Sequence, residues 1–237
     1  MNELRQTLLA RGASLVGFAD LRPLPADVRG NLPFGVSIAV ALFCDVVEKI
    51  ADGPTEQYLT EYRRVNDLLD RLGNFATDYL RERGYRAEPL AATITDKDPT
   101  QFFAPLPHKT VATRAGLGWV GRCALVVTEP FGSAVRFASV LTDAPLPTHA
   151  PIETSRCGDC TACVDKCPAH APTGRDWQAH LPPAQMFDRY ACYRSIRDVS
   201  TKANIDESIC GICIAACPWT QRYLQQACRR VTRAKQP

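Results

Sequence analysis

Two runs of cysteine constrain this chain more than any other feature. The first is Cys157, Cys160, Cys163 and Cys167, with two, two and three residues between them, followed by Pro168. The second is Cys210, Cys213 and Cys217, followed by Pro218, with Cys192 upstream. Thiolates spaced three residues apart in a tight loop turn successive sulfurs inward. Four such sulfurs converging tetrahedrally hold a [4Fe–4S] cube. In the two-cluster arrangement with a proline after the run, the last cysteine of each run ligates the other cluster. The expectation is therefore one cluster on Cys157, Cys160, Cys163 and Cys217, and a second on Cys210, Cys213, Cys167 and Cys192. Cys192 fills the place for which the second run has only Ile214–Ala216. Zinc also binds CxxC pairs, but crossed runs with a proline closing each fit clusters better.

The compartment follows from the same residues. Of eleven cysteines, only Cys44 and Cys123 precede the first run. The opening MNELRQTLLARG has no apolar signal core and reads as a short amphipathic helix, Leu4, Leu8 and Leu9 inward, stopped by Gly12. Thiol density without an export signal implies metal or redox chemistry in a reducing compartment, so a cytoplasmic location is expected. No stretch approaches the ~20 apolar residues of a membrane-spanning helix. A net charge of +3 argues for neither nucleic acid nor membrane. The basic end, Arg229, Arg230, Arg233 and Lys235, reads as a solvated tail. With 46% hydrophobic and 22% charged residues, a packed core is expected.

The step in cysteine content divides the chain into residues 1–150 and 151–237, with Pro145, Pro147 and Pro151 as the linker. The fold class expected is α+β: an N-terminal α/β sheet domain followed by a ferredoxin-like domain for two [4Fe–4S] clusters. Strands are expected at Ser14–Phe18, Val36–Phe43, Arg86–Thr93, Ala124–Thr128 and Ala134–Leu141. Between Tyr58 and Arg83, Leu59, Tyr62, Val65, Leu69, Leu72, Phe75, Ala76 and Tyr79 recur at helical spacing, closed by Gly84. Cys44 reads as a buried small hydrophobe and Cys228 as a free thiol. Cys123 lies beside a glycine-rich segment. Arg136 interrupts an apolar strand and calls for an acid or a cofactor amide. Asn66 is an odd amide on an otherwise packed helical face. His170, next to the first run, reads as shielding or hydrogen-bonding a cluster.

The glycine-rich segment is KTVATRAGLGWVGR, Lys109–Arg122. Gly116, Gly118 and Gly121 around Trp119 permit close backbone approach to a flat ligand. Their spacing imitates a dinucleotide fingerprint, but the preceding apolar strand and the following acid are missing. AGLGWVGR, then FGSAVRFASVLTDAPL, CGDCTACVDKCP, Cys192 and CGICIAACPW, in that order, resemble the epoxyqueuosine reductase-like proteins. GASLVGFADL near the start and the pattern YLTEYRRVNDLLD extend the likeness over most of the chain.

The resemblance implies double-[4Fe–4S], cobalamin-dependent chemistry, with relatives among reductive dehalogenases. It implies a cobalamin held by the N-terminal part, reduced by the nearer cluster, with cobalt as nucleophile or electron donor. His108, Lys109, Gly116, Gly118, Trp119 and Gly121 are its candidate binding residues. In epoxyqueuosine reductases an Asp shortly before the AGLGW segment donates a proton. Here Phe102 and Phe103 stand near that place, and Asp96 and Asp98, a few residues upstream, are the catalytic candidates. The helical extension that helps those enzymes hold tRNA has no counterpart after Cys217, which points to a shorter branch. Three readings follow. The main one is a cobalamin-dependent reductase of a small-molecule substrate, served by an electron donor such as a ferredoxin or flavodoxin. The alternatives are a ferredoxin-like electron-transfer protein for a corrinoid or other redox partner, and an epoxyqueuosine reductase acting on tRNA.

Overall fold

A computed structural model describes residues 1–90 and 104–234, with side chains to residue 227. It is a mixed α/β fold of two compact units, each assembled from three stretches of chain. The first comprises Met1–Ala41, Val65–Gly118 and Arg136–Glu153; the second comprises Leu42–Arg64, Trp119–Val135 and Thr154–Pro237.

The first unit is built on a four-stranded sheet. Strands β1 (Leu15–Asp20) and β2 (Phe34–Ala41) are buried along almost their whole length, as near-continuous apolar runs covered on both faces should be. They pair antiparallel, Leu15 opposite Ala39 and Asp20 opposite Phe34. β3 (Ala87–Pro89) pairs antiparallel with β6 (Val135–Thr142), and the order across the sheet is β1-β2-β6-β3. The strand expected over Arg86–Thr93 is thus seen as three residues; its last three positions lie outside the described residues.

Helix α1 (Asn2–Ala10) buries Leu4 and Leu8 and stops at Gly12, as expected, while Leu9 is exposed. Helix α3 (Glu56–Arg81) buries Val65, Leu69, Leu72, Ala76 and Leu80 at the spacing of one helical face. Helix α4 (His108–Arg114) packs on β1 and β2 over a floor of small residues. A Cβ on Gly17 would stand 2.8 Å from Leu117 Cδ2 and 2.9 Å from the Ala115 carbonyl; one on Gly35 would stand 2.9 Å from Val111. Glycine at both places lets helix and sheet approach closely. The seam is sealed by Ala19, Leu21, Leu32, Leu106, Val111, Ala115 and Leu141. Arg136 on β6 donates from Nε to Asn66 Oδ1 at 2.6 Å. Two polar groups that looked odd in sequence therefore satisfy each other.

The second unit contains helix α2 (Cys44–Val47), the start of α3, the hairpin β4 (Trp119–Val120) and β5 (Val126–Val127), and helices α5 (Ala162–Asp165), α6 (Arg189–Lys202), α7 (Ile212–Ala216) and α8 (Pro218–Ala234). Cys44 is half-buried at the first turn of α2 rather than fully inside a strand. The Tyr223 hydroxyl donates to the Leu42 carbonyl at 2.8 Å, joining α8 to the segment before α2. The carboxylate of Glu61 is almost completely buried and fully engaged. It accepts the Phe43 N–H at 2.9 Å and the Arg64 guanidinium at 2.6 and 2.7 Å, and that guanidinium lies 4.1 Å from the centre of the Phe43 ring. No helix among the described residues is long and apolar enough to cross a membrane.

Candidate iron–sulfur and cofactor site

The first cysteine run begins in a loop, places Cys163 in α5 and ends just beyond that helix at Cys167. Gly158 takes the left-handed conformation that turns this loop, with φ of 57°. The Cys160 N–H donates to the Cys157 carbonyl, and the Cys167 N–H to that of Val164, both at 3.3 Å. Facing the loop is the turn between β4 and β5, residues 121–125. Gly121 there is buried; a Cβ on it would stand 2.9 Å from Val127 and 3.6 Å from Cys157 Sγ. The next residue, Arg122, drives its side chain into the loop. Nη1 donates to the Cys160 carbonyl at 2.7 Å, Nη2 to the Gly158 carbonyl at 2.8 Å, and Nε to Asp176 Oδ1 at 3.0 Å. Asp176, followed by the loop thiols, lifts the Arg122 pKa above its ordinary value against the opposing effect of desolvation.

The second run is carried by three helices. α6 holds Cys192 in its first turn, capped by Asp188, whose carboxylate accepts the N–H groups of Tyr190 and Ala191. α7 holds Cys213 and starts at left-handed Gly211. Cys217 ends α7, and Pro218 begins α8, where its missing N–H costs nothing. Helices α5 and α7 pack against each other.

This packing makes neighbours of cysteines from different runs. Cys192 lies within electrostatic reach of Cys167 and Cys210, and Cys217 within reach of Cys157. The Cys123 thiol is hydrogen-bonded to both Cys163 and Cys213. All ten described cysteines are free thiols. Burial, then the neighbouring thiols, pushes Cys192 up to about 12. Burial also raises Cys210 and Cys217, and the hydrogen bond to Cys123 followed by burial raises Cys163 strongly. For Cys123 the Cys163 bond acts downward, but Cys213 and burial win. Such thiols are protonated at neutral pH unless a bound cation compensates the thiolate charge.

Donors for sulfur are already in place. The Ala171 N–H points to Cys167 Sγ at 3.4 Å, and backbone N–H groups of Trp219 and Thr220 reach Cys217, as that of Ile212 reaches Cys210. Trp119 Nε1 is a buried donor with no partner among the described residues. Among those residues no three His, Cys, Asp or Glu side chains converge closely enough for a single ion. Thiols gathered across runs, with N–H groups aimed at sulfur, form a donor set that could hold iron–sulfur clusters. His170, expected to shield them, is exposed; its N–H donates to the Cys167 carbonyl.

The remaining candidates fall in the first unit or outside the described residues. His108 opens α4, half-buried, with Nδ1 3.0 Å from Ser139 Oγ; Lys109 follows it, also half-buried. Gly116 has φ of +69° because it ends α4: its N–H returns to Thr113, and that of Leu117 to Ala112. A Cβ on it would stand 2.9 Å from the Ala150 carbonyl. Gly118 is buried, and the two compact units part between it and Trp119. The segment read as one pocket wall therefore belongs to two units. Asp96 and Asp98, with Phe102 and Phe103, lie outside the described residues.

No protein-family model matches the chain. Its sequence is 31% identical to the epoxyqueuosine reductase of Synechococcus sp. (strain CC9605) over 176 residues, which are 70% of this chain and 49% of that protein. It is 30% identical to that of Aliivibrio fischeri over 125 residues, 50% of this chain and 30% of that one. The chain is similar to the epoxyqueuosine reductases over most of its length. It spans about half, or less, of the length of the curated relatives it matches.

Solved structures share the fold. An epoxyqueuosine reductase bound to an epoxyqueuosine-modified tRNA stem loop matches 93% of this chain and 65% of its own chain, with a TM-score of 0.63 at 20% identity. A reductive dehalogenase in complex with 3-bromo-4-hydroxybenzoic acid matches 94% and 33%, with a TM-score of 0.66 at 17%. Sequence reasoning passed over Arg122 and Asp176. A charged residue directly after a buried glycine is a weak signal, and its partners lie more than thirty positions away.

Proposed function

We propose that the chain is a cytoplasmic iron–sulfur oxidoreductase of the epoxyqueuosine reductase type, carrying two [4Fe–4S] clusters and a cobalamin. The observation that carries this is the gathering of thiols across the two runs, Cys217 beside Cys157 and Cys192 beside Cys167 and Cys210. It supports Cys157, Cys160, Cys163 and Cys217 as ligands of one cluster, and Cys167, Cys192, Cys210 and Cys213 as ligands of the other. These residues form a ferredoxin-like part of the second unit, open to reduction by a ferredoxin or flavodoxin. Trp119 and Gly121 belong to the same unit.

In the first unit, His108, Lys109, Gly116 and Gly118 are the residues proposed to hold the corrin. When bound, it supplies a strongly reducing cobalt centre. The chain's own part is to bind and orient it, to exclude water, and to deliver a proton, for which Asp96 or Asp98 is proposed.

For the substrate, the relatives weigh toward epoxyqueuosine in tRNA rather than the unassigned small molecule expected from the sequence. Two measurements test the reading. Expression in a strain lacking its own epoxyqueuosine reductase should restore queuosine in tRNA. Anaerobic titration of the iron-loaded protein with cob(II)alamin should convert the cobalt electron paramagnetic resonance signal to the form without a nitrogen ligand, saturating near one per chain. Restoration without corrin binding sinks the cobalamin assignment. Corrin binding without restoration sinks the tRNA assignment. If both fail in protein that holds its iron, the chain is an electron-transfer protein.

A further inference from the structure

Arg122 is held more tightly than any surface arginine needs to be. Its side chain is only 12% exposed and binds within the second unit, to the carbonyls of Gly158 and Cys160 and the carboxylate of Asp176. Both carbonyls belong to the loop that presents Cys157 and Cys160. A planar guanidinium can engage two carbonyls and a carboxylate at once, which an ammonium cannot do with the same geometry. The charge is permanent and, being poorly exposed, weakly screened.

We propose that Arg122 is a positioning residue that shapes the first cysteine loop and sets the reduction potential of the cluster held by Cys157, Cys160, Cys163 and Cys217. The inference rests on the cluster assignment above. Reduction adds one electron to the cluster, taking its core from 2+ to 1+; no bond or proton moves on Arg122. A fixed cation beside the loop favours the more negative, reduced state and so raises the potential. Asp176, half exposed on the same guanidinium, offsets part of that effect. Hydrogen bonds and net charge around the sulfurs are the recognised means by which a protein tunes such a centre. The Arg122 hydrogen bonds go to Gly158, Cys160 and Asp176, not to the cysteines assigned to the second cluster, so that cluster serves as an internal reference.

The test is an electron paramagnetic resonance redox titration of the full chain, reconstituted with iron and sulfide, using dithionite as reductant. Iron and sulfide counts on the unmodified protein come first. Values far below about eight of each per chain overturn the two-cluster reading itself. With that count met, Arg122→Gln should lower one couple by at least tenfold in its equilibrium, about 59 mV for one electron, while the other couple stays in place. Asp176→Asn, which leaves both carbonyl bonds intact, should move the same couple upward. Arg122→Lys keeps the charge and loses the fork, so it should release iron faster while leaving the potential near that of the unmodified protein. If Arg122→Gln loses its cluster, Asp176→Asn alone reads the charge. No upward shift there, or equal shifts of both couples, overturns the proposal.

Discussion

Gly132 lies directly against the backbone of Thr220. A Cβ on Gly132 would stand 2.5 Å from Thr220 Cα and closer still to its nitrogen. The contact is locked by the Ser133 N–H, which donates to Thr220 Oγ1 at 3.1 Å. Thr220 in turn hydrogen-bonds Cys217 through its backbone and its hydroxyl. Gly132→Ala must push α8 away and strain a φ of 57°. A loss of about 3 kcal/mol of stability is expected, together with faster iron loss. Anaerobic urea unfolding and an iron assay read the two effects; an unchanged midpoint would show that the contact yields easily.

Cys192 separates the proposed ligand set from the other thiols. Cys192→Ala should halve the iron content, from about eight to about four per chain. Cys44→Ser should leave it near eight. Iron content that survives in Cys192→Ala and falls in Cys123→Ser would move the ligand assignment to Cys123, which touches Cys163 and Cys213.

Glu61 offers a test free of metal. Its carboxylate accepts the Phe43 N–H and the Arg64 fork in a buried setting. Glu61→Ala leaves that N–H without its acceptor and should cost about 2 kcal/mol. Glu61→Leu should cost no less, because the deficit is polar rather than volumetric. Thermal unfolding of the two variants side by side decides this.

Asp20 gives the pH dependence. Its hydrogen bonds from Arg22, at 2.9 and 2.8 Å, hold its carboxyl below the ordinary range, with burial opposing. A depressed folded-state pKa stabilises the fold above the unfolded carboxylate value, and that contribution is lost as pH falls through the lower, folded value. Asp20→Asn should therefore lower the unfolding midpoint at neutral pH, and the gap from the unmodified protein should close as the pH falls through the lowered carboxyl range. A gap that persists in acid would point to packing instead of charge.

Long elements with a single clear period were legible in the sequence. β1, β2, α3 and β6 lie within a few residues of where their apolar patterns place them, because each buries enough surface to enforce its own period. Short elements were not. β4 and β5 contribute two residues apiece and owe their form to the turn between them; α2 is a single turn that starts just after the expected strand. Arg136 was legible as an anomaly, but its answer, Asn66, is seventy residues away. Gly116 illustrates the opposite limit. A glycine in a suggestive motif also ends α4, and a helix stop and a cofactor contact look identical in sequence. The interleaving of the two units was beyond reach, since neither is continuous along the chain.

The nearness of Cys157 to Cys217, and of Cys167 to Cys192 and Cys210, bears on how the protein is made. On the proposed ligand assignment, a nascent chain that has emerged only as far as Cys167 holds three ligands of one cluster and one of the other, with nothing to close either. Metal delivered at that stage would meet incomplete, solvent-open thiols. If the proposed ligand sets hold, maturation has to wait for α7 to leave the ribosome, and the interval before it does is when these sulfurs are most vulnerable to oxygen.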